Sequence, residues 1–494
     1  MKNDSKLMKT LPGLLLLGTL LSFGGCSLEA PDDPSTQINA PGTEDAGARF
    51  VSVGNSLTAG FMDGGLMQTG QMYSFPNLIA TQFGLSQTQF TQPWIKTPGI
   101  GGLVGANVIG VLHFDGSGIT VLGTTPATQV QSTLLLAATQ PTQYHNLGVP
   151  GATLHDGMNA HNSATSASGA NPFFDFINRA TFFGNAPVSA GYPGPGGFVP
   201  VTFQSASQFY QAVAKGGALT TLWLGNNDVL GPATSGEPPL GFGNAGSPGH
   251  LAFANDYTAM LAMLAGGLAQ RNNGLKPTIL VANIPSVTST PYFVPQATFS
   301  FYVTSQIGQP WPGGFEEANV QYVRFPALSW IATADPLTPI PAHFTLDTEE
   351  YASVATATTV FNQTITTVVN TINGSGLATV ALVDANDLLA NETTDQQRTH
   401  FLFLVGGGMS VAQAAAATVF SLDGIHPNSH GYGIIANAFI DKYNEINPAG
   451  EPDLDHVDPA ALPWDPTYGQ TVTKAAGMPG LDAQAAAAMD AIFR

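Results

Sequence analysis

The chain predicts an α/β fold in three layers, α/β/α, with a central parallel sheet and long loop insertions. Three observations point there. Short apolar, β-branched runs alternate with longer helical patterns along the chain. The runs are apolar throughout rather than at every second residue, as expected of strands covered by helices on both faces. The polar motifs with chemical content follow such runs or fall in the last loop before the closing helix. In sheets of this kind, the loops at the carboxyl ends of strands build the site.

The elements follow in order. Residues 1–25 read as an export signal: Lys2, Lys6 and Lys9, then an apolar run from Leu11 to Phe23, then Gly24 and Gly25. That run is shorter than the roughly 20 residues of a membrane span. Small residues before Cys26, the only cysteine of the chain, resemble a bacterial lipoprotein signal with lipid on Cys26. The alternative is an ordinary secretory peptide with an incidental cysteine. The lipoprotein reading makes the protein exported and anchored in the bacterial envelope, at the outer membrane or cell surface. Contact with the membrane is then only through the lipid anchor on Cys26. Residues 26–47, rich in Pro, Asp, Gly, Ser and Thr, form a flexible tether.

The main domain spans 48–447. A β-branched strand at 49–53 leads into Gly54, and helical spacing predicts a helix over 75–83 that packs on it. Residues 85–143 are rich in Gly, Thr and Gln and form a first insertion over the site. A hairpin is expected there between 108–112 and 119–122, turning at Asp115-Gly116-Ser117-Gly118. The glycines of this stretch lack the Lys-Ser/Thr ending of a phosphate loop. A second loop-rich insertion covers 159–205. Then come a helix over 207–215 stopped by Gly216-Gly217, a strand over 219–224, a long helix over 250–271 and a strand over 278–283. Residues 286–345 form a third insertion, whose Trp311, Trp330 and Tyr302 belong either to a satellite core or to an acyl or sugar pocket. A helix over 349–372, a strand over 378–383 and a closing helix over 433–443 complete the domain. Residues 448–494 are a Pro- and Asp-rich tail ending in a short Ala-rich helix.

Composition limits the partners. Only 10% of the 494 residues are charged, against roughly 25% in an average domain. The net charge is −19, with 14 Lys and Arg in all. No basic face exists for nucleic acid, and the mature domain has no charge attraction to anionic lipid.

Four segments carry the chemistry: Gly54-Asn55-Ser56-Leu57, Asn146-Leu147-Gly148, Gly225-Asn226-Asn227-Asp228 and Asp423-Gly424-Ile425-His426. Ser56, after a strand and a tight turn, is a candidate nucleophile or the N-cap of a following helix. Asp423 and His426, three residues apart, pair so that the carboxylate orients the imidazole that takes the serine proton. Acyl transfer also requires donors aimed at an oxyanion; the Ser56 N–H, the Gly148 N–H and the Asn227 amide are the candidates. His145, His155, Asp156 and His161 cluster in sequence but lack metal-ligand spacing, so no metal is expected.

These blocks resemble the SGNH (GDSL-type) hydrolases, named for Ser, Gly, Asn and His, over about 48–445. The resemblance implies the flavodoxin-like SGNH fold, Ser56, Asp423 and His426 as a triad, and ester hydrolysis without a cofactor. The implied substrate is a small-molecule, lipid or acylated carbohydrate ester. Val281-Ala282-Asn283-Ile284-Pro285 also resembles a strand end of this family. One departure is Asn55, where the family carries Asp. The α/β-hydrolases share the Ser, Asp, His order, but their Gly-x-Ser-x-Gly elbow is missing here. The rival functional reading is an envelope lipoprotein that uses this fold to bind carbohydrate or a partner with little turnover.

Overall fold

The computed structural model describes residues 50–130, 134–135, 144–167, 169, 171–177, 187–194, 197–202, 206–272, 274–447, 451–464 and 480–493. The expected export signal and tether, with Cys26, lie outside the described residues. Five strands form the central sheet: β1 (Phe50–Gly54), β2 (Asn146–Gly148), β3 (Leu219–Trp223), β4 (Thr278–Ala282) and β5 (Thr379–Val383). They lie in the order β5-β4-β3-β1-β2, and every neighbouring pair is parallel.

The uniform apolarity of the strands has the expected cause, since both faces of the sheet are covered. Successive side chains alternate between faces. Phe50, Leu219, Trp223, Leu280 and Val383 point to one core, completed by helices α2 (Phe75–Gln82) and α7 (Ser429–Ile446). Val51, Val53, Leu222, Ile279 and Val281 point to the other. There α3 (Gln208–Lys215), α5 (Pro248–Arg271) and α6 (Thr348–Ser375) cover them. Chain punctuation acts as the sequence suggests. Gly216 caps α3 in the left-handed conformation at φ 73°, and the Asp347 side chain caps α6 through the N–H groups of Glu349 and Glu350. Among the described residues, no helix is long and apolar enough to cross a membrane.

The first insertion departs from expectation in its pairing. Leu112–Phe114, not 108–112, pairs with Gly118–Val121 around the Asp115 turn. Asn107–Ile109 instead joins a separate small sheet with Leu103–Val104 and Thr124–Pro126. Gly110 causes the break: its N–H bonds Gly123, and a Cβ there would lie 2.4 Å from the Pro98 carbonyl oxygen. In the second loop-rich insertion, Pro187–Gly194 and Gly197–Thr202 form an antiparallel ribbon. The third insertion builds a three-stranded antiparallel sheet from Phe293–Pro295, Val320–Arg324 and Thr345–Asp347. Its Trp311 and Trp330 pack on each other and Trp311 bonds the Thr338 carbonyl, while Tyr302 is buried against Phe403. Tyr302 belongs to the main core itself, and Trp311 and Trp330 pack against it rather than forming a separate satellite.

The tail read over 448–494 is packed against the domain in its described portions and ends in the Ala-rich helix that the sequence indicates. Leu454 and Val457 are buried beside α7, and Gly480–Leu481 adds a parallel strand to the Gly118–Val121 hairpin. Helix α8 (Ala483–Phe493) buries Ala485, Ala488 and Met489 in the body of the domain. The apolar residues of this Pro- and Asp-rich stretch find partners from distant segments.

The core between α2, α7 and the sheet yields one test. Phe75 and Phe439 are both buried and stack with ring centroids 4.6 Å apart, against Trp223. Phe439→Ala is expected to lower unfolding free energy by about 3–5 kcal/mol in urea melts. A loss below about 1 kcal/mol would show that this face contributes little to cohesion.

Candidate active site

Ser56 opens a short helix, α1 (Ser56–Ala59), directly after β1. The N-cap is Asn55, whose side chain accepts from the Leu57 N–H at 3.1 Å. The cap that the sequence offered as the alternative role for Ser56 is thus filled by its neighbour, and the Ser56 hydroxyl is directed elsewhere. Its Oγ lies 2.8 Å from His426 Nε2. On the other side of the ring, His426 Nδ1 lies 2.9 Å from Asp423 Oδ2. Both partners are buried, with Asp423 completely so.

A buried carboxylate must have its oxygens satisfied. Asp423 Oδ1 accepts from the N–H groups of Ile425 and His426, and Oδ2 accepts from Gly64 as well as from the imidazole. Burial pushes this carboxyl up, but the adjacent His426 and those N–H donors outweigh it and hold the group below the usual carboxylate range. Gly424 makes the turn possible: its φ is 73°, and an added Cβ would lie 3.0 Å from the Tyr292 nitrogen.

Several supporting residues were not legible in the sequence. Asp63 bonds the loop after α1 to the 421–423 segment, donating its N–H to Ser421 Oγ and accepting from the Leu422 N–H. The Phe61 ring packs at 4.6 Å from that of His426, and the Phe61 carbonyl accepts from the Tyr432 hydroxyl. Beneath the loop, His400 places Nε2 3.0 Å from the Leu422 carbonyl and accepts from the Leu402 N–H at Nδ1. Burial pushes its pKa down to about 4, so it is neutral and donates through Nε2. No local motif marks these residues, because each acts through a partner distant in sequence.

The Gly148 assignment is corrected. Gly148 is buried, and its N–H donates to Asn146 Oδ1 at 2.9 Å. The glycine is needed for close packing: a Cβ there would sit 2.2 Å from the Ala59 nitrogen. It seats α1 against β2 and does not line the cleft. Gly151, three residues on, does so together with Ser56, Asn227 and His426. Among the described residues, neither its N–H nor that of Ser56 has a partner. The signal lay in the Gly148-Val149-Pro150-Gly151 segment, which holds two glycines. Only the structure tells which is packed and which is open. Asn227 donates one Nδ2 hydrogen to the Ala152 carbonyl at 2.8 Å, so the 150–152 loop and the amide hold each other.

The cleft above these groups has a volume of about 190 Å³. Leu103 and Val108 of the first insertion, Phe173 of the second, Leu230 of helix α4 (Asn226–Ser235) and Ala491 of α8 form much of its wall. Among the described residues lining it, none is Lys, Arg, Asp or Glu. Trp311, Trp330 and Tyr302 are not part of the wall.

The four residues weighed as metal ligands do other work. His145 is buried with Nδ1 on Thr91, His155 meets Asp256, Asp156 closes a helix capping box, and His161 lies at the surface near Asn159. Among the described residues, no group of three or more His, Cys, Asp or Glu could hold a metal ion.

Asp228, beside Asn227, accepts from the Leu154 N–H at 2.9 Å. Burial, with Asp156 and Asp256 adding repulsion, pushes its pKa up to about 7. A raised carboxyl destabilises the fold only when ionised. The cost is absent below the unfolded value near 3.8, grows as pH rises, and is complete above about 7. Asp228→Asn, which keeps an acceptor for Leu154, is therefore expected to raise the melting temperature at pH 8 and to leave it near wild type at pH 4. Equal effects at both pH values would refute the assignment.

Comparison with known proteins agrees with this geometry. Residues 50–439 match the model of the GDSL-like Lipase/Acylhydrolase family. No curated protein and no solved structure matches the chain. Because one match takes in the central sheet, the Ser56 turn and the Asp423–His426 loop alike, the chain belongs to the GDSL-like lipase/acylhydrolase family.

Proposed function

We propose that this protein hydrolyses carboxylic esters through an acyl-serine intermediate. The observation that carries the reading is the unbroken relay from Asp423 Oδ2 through His426 to Ser56 Oγ, at 2.9 and 2.8 Å. Ser56 Oγ bonds to the ester carbonyl carbon as its proton passes to His426 Nε2. Asp423 holds the ring in the required tautomer and stabilises the imidazolium that forms. The tetrahedral oxyanion is met by the N–H groups of Ser56 and Gly151 and by the free Nδ2 hydrogen of Asn227. As the carbon–alkoxide bond breaks, His426 returns its proton to the departing alcohol. Water then attacks the acyl carbon and gives a proton to His426. Collapse releases the carboxylic acid and restores the serine hydroxyl. No cofactor enters these steps.

The uncharged wall of the cleft favours a neutral ester, whether of a small molecule, a lipid or an acylated carbohydrate. Nucleic acid remains an unsuitable partner at a net charge of −19. The reading extends to location: export, with the enzyme held at the envelope by lipid on Cys26. Mass spectrometry of the natural N-terminal peptide should find an acylated Cys26; an unmodified thiol or an intact leader would refute that part.

Against p-nitrophenyl esters, Ser56→Ala and His426→Ala are each expected to lower kcat by roughly 10⁴-fold or more. Asp423→Asn, which disturbs the tautomer, should cost on the order of 10⁴-fold or less. A fluorophosphonate should label wild-type Ser56. A folded protein that neither takes the label nor turns over any ester would overturn the proposal in favour of a binding role.

A further inference from the structure

We propose that the C-terminal helix α8 is the size-setting wall of the substrate cleft, with Ala491 limiting the apolar chain of the ester that it accepts. This rests on the esterase reading above. Helix α8 lies outside the residues that match the family, so it is an addition of this chain to the common site. Yet Ala491 lines the same cleft as Ser56 and His426. The helix packs on α4, which carries Asn227 and Leu230, and on the Leu103–Val104 strand at the cleft mouth.

The sequence of α8 suits this position. Asp482 caps its start through the N–H groups of Gln484 and Ala485. Alanines at 485 and 488 are buried, which lets the helix backbone approach the domain closely. At 491 the same small side chain faces the cleft and leaves room for a ligand. Opposite it, Leu103 is 50% exposed, an apolar residue at the mouth whose exposure fits an apolar substrate chain.

A clamp built on a buried arginine holds the wall in register with the chemistry. Asp490, adjacent to Ala491, accepts from Arg324 Nη2 at 2.9 Å. The Arg324 side chain is 1% exposed and also donates to the Tyr292 hydroxyl. The Tyr292 N–H in turn donates to the Gly424 carbonyl, inside the Asp423–His426 loop. The end of the chain is thus tied to the loop that orients the histidine. Asp490 and Arg324 are positioning residues; Ala491 is the one that meets substrate.

The test uses the full chain and two ester series, p-nitrophenyl acetate to octanoate and methyl to octyl acetate. Lengthening the acyl group and lengthening the alcohol are thereby distinguished. Ala491→Val and Ala491→Trp should lower the ratio of long-chain to short-chain kcat/KM progressively, with Trp changing it by at least roughly tenfold. The change should appear in one series, which identifies whether acyl or alcohol lies along α8. Asp490→Ala, which releases the helix, should shift the same ratio in the opposite direction. Val fits a half-buried site with little disturbance, so it keeps the test decisive should Trp prevent folding. If Ser56 takes a fluorophosphonate label in every variant and neither ratio moves, the wall inference is overturned while the esterase reading stands. If wild type shows neither label nor turnover, both fall.

Discussion

The Asp423 carboxylate is the constraint around which the site is organised. It is fully buried, and a buried charge persists only when each oxygen is paired. Two of its four hydrogen bonds come from its own turn, one from Gly64 beyond α1, and one from His426. Satisfying this one group therefore brings together the serine segment and the histidine segment, which are 370 residues apart in the chain. Asp63, Phe61 and His400 reinforce the same junction. Their removal would change the position of the imidazole without touching a substrate, which separates positioning from catalysis in this site.

The sheet supplies the rigid frame. Burial on both faces holds β1, β2 and β3 in parallel register, and their carboxyl ends present Ser56, Gly151 and Asn227 side by side. The chain leaves β1 for the face covered by α2 and leaves β3 for the opposite face, so a crevice opens between the departing segments. Gly148 and Asn146 act one layer below that crevice. The Asn146 amide donates to the Thr58 carbonyl and accepts from the Gly148 N–H, and the missing Cβ at 148 admits α1. Polar residues in a catalytic motif are here divided between reaction and assembly.

The cleft walls lie mostly outside that frame. The insertions and the C-terminal helix, rather than the sheet, make the walls above Ser56. Helix α8 brings a distant segment back to the cleft, where Ala491 stands in the wall beside Ser56 and His426. The Arg324–Asp490 pair is suited to this use, because the buried guanidinium holds Asp490 in one geometry even where the pair adds little net stability.

Much of the molecule was legible before its structure. Strand and helix periodicity located four of the five central strands and the helices covering them to within a few residues, since local propensity and two-sided burial both act on contiguous sequence; β2, only three residues long, carried no such pattern. Ser56, Asp423, His426 and Asn227 were also legible as a set, because their chemistry restricts residue type and they follow strand ends or fall in the last loop before the closing helix. The choice between Gly148 and Gly151 was not, nor were Gly64, Asp63 and His400. The hairpin register and the place of α8 were equally hidden. Sequence determined which residues stand as candidates for nucleophile, base and orienting carboxylate, and the layers that carry them. Tertiary structure alone decided which donors stay open, what supports the histidine and what bounds the substrate, because those depend on contacts between segments hundreds of residues apart, which leave no local pattern.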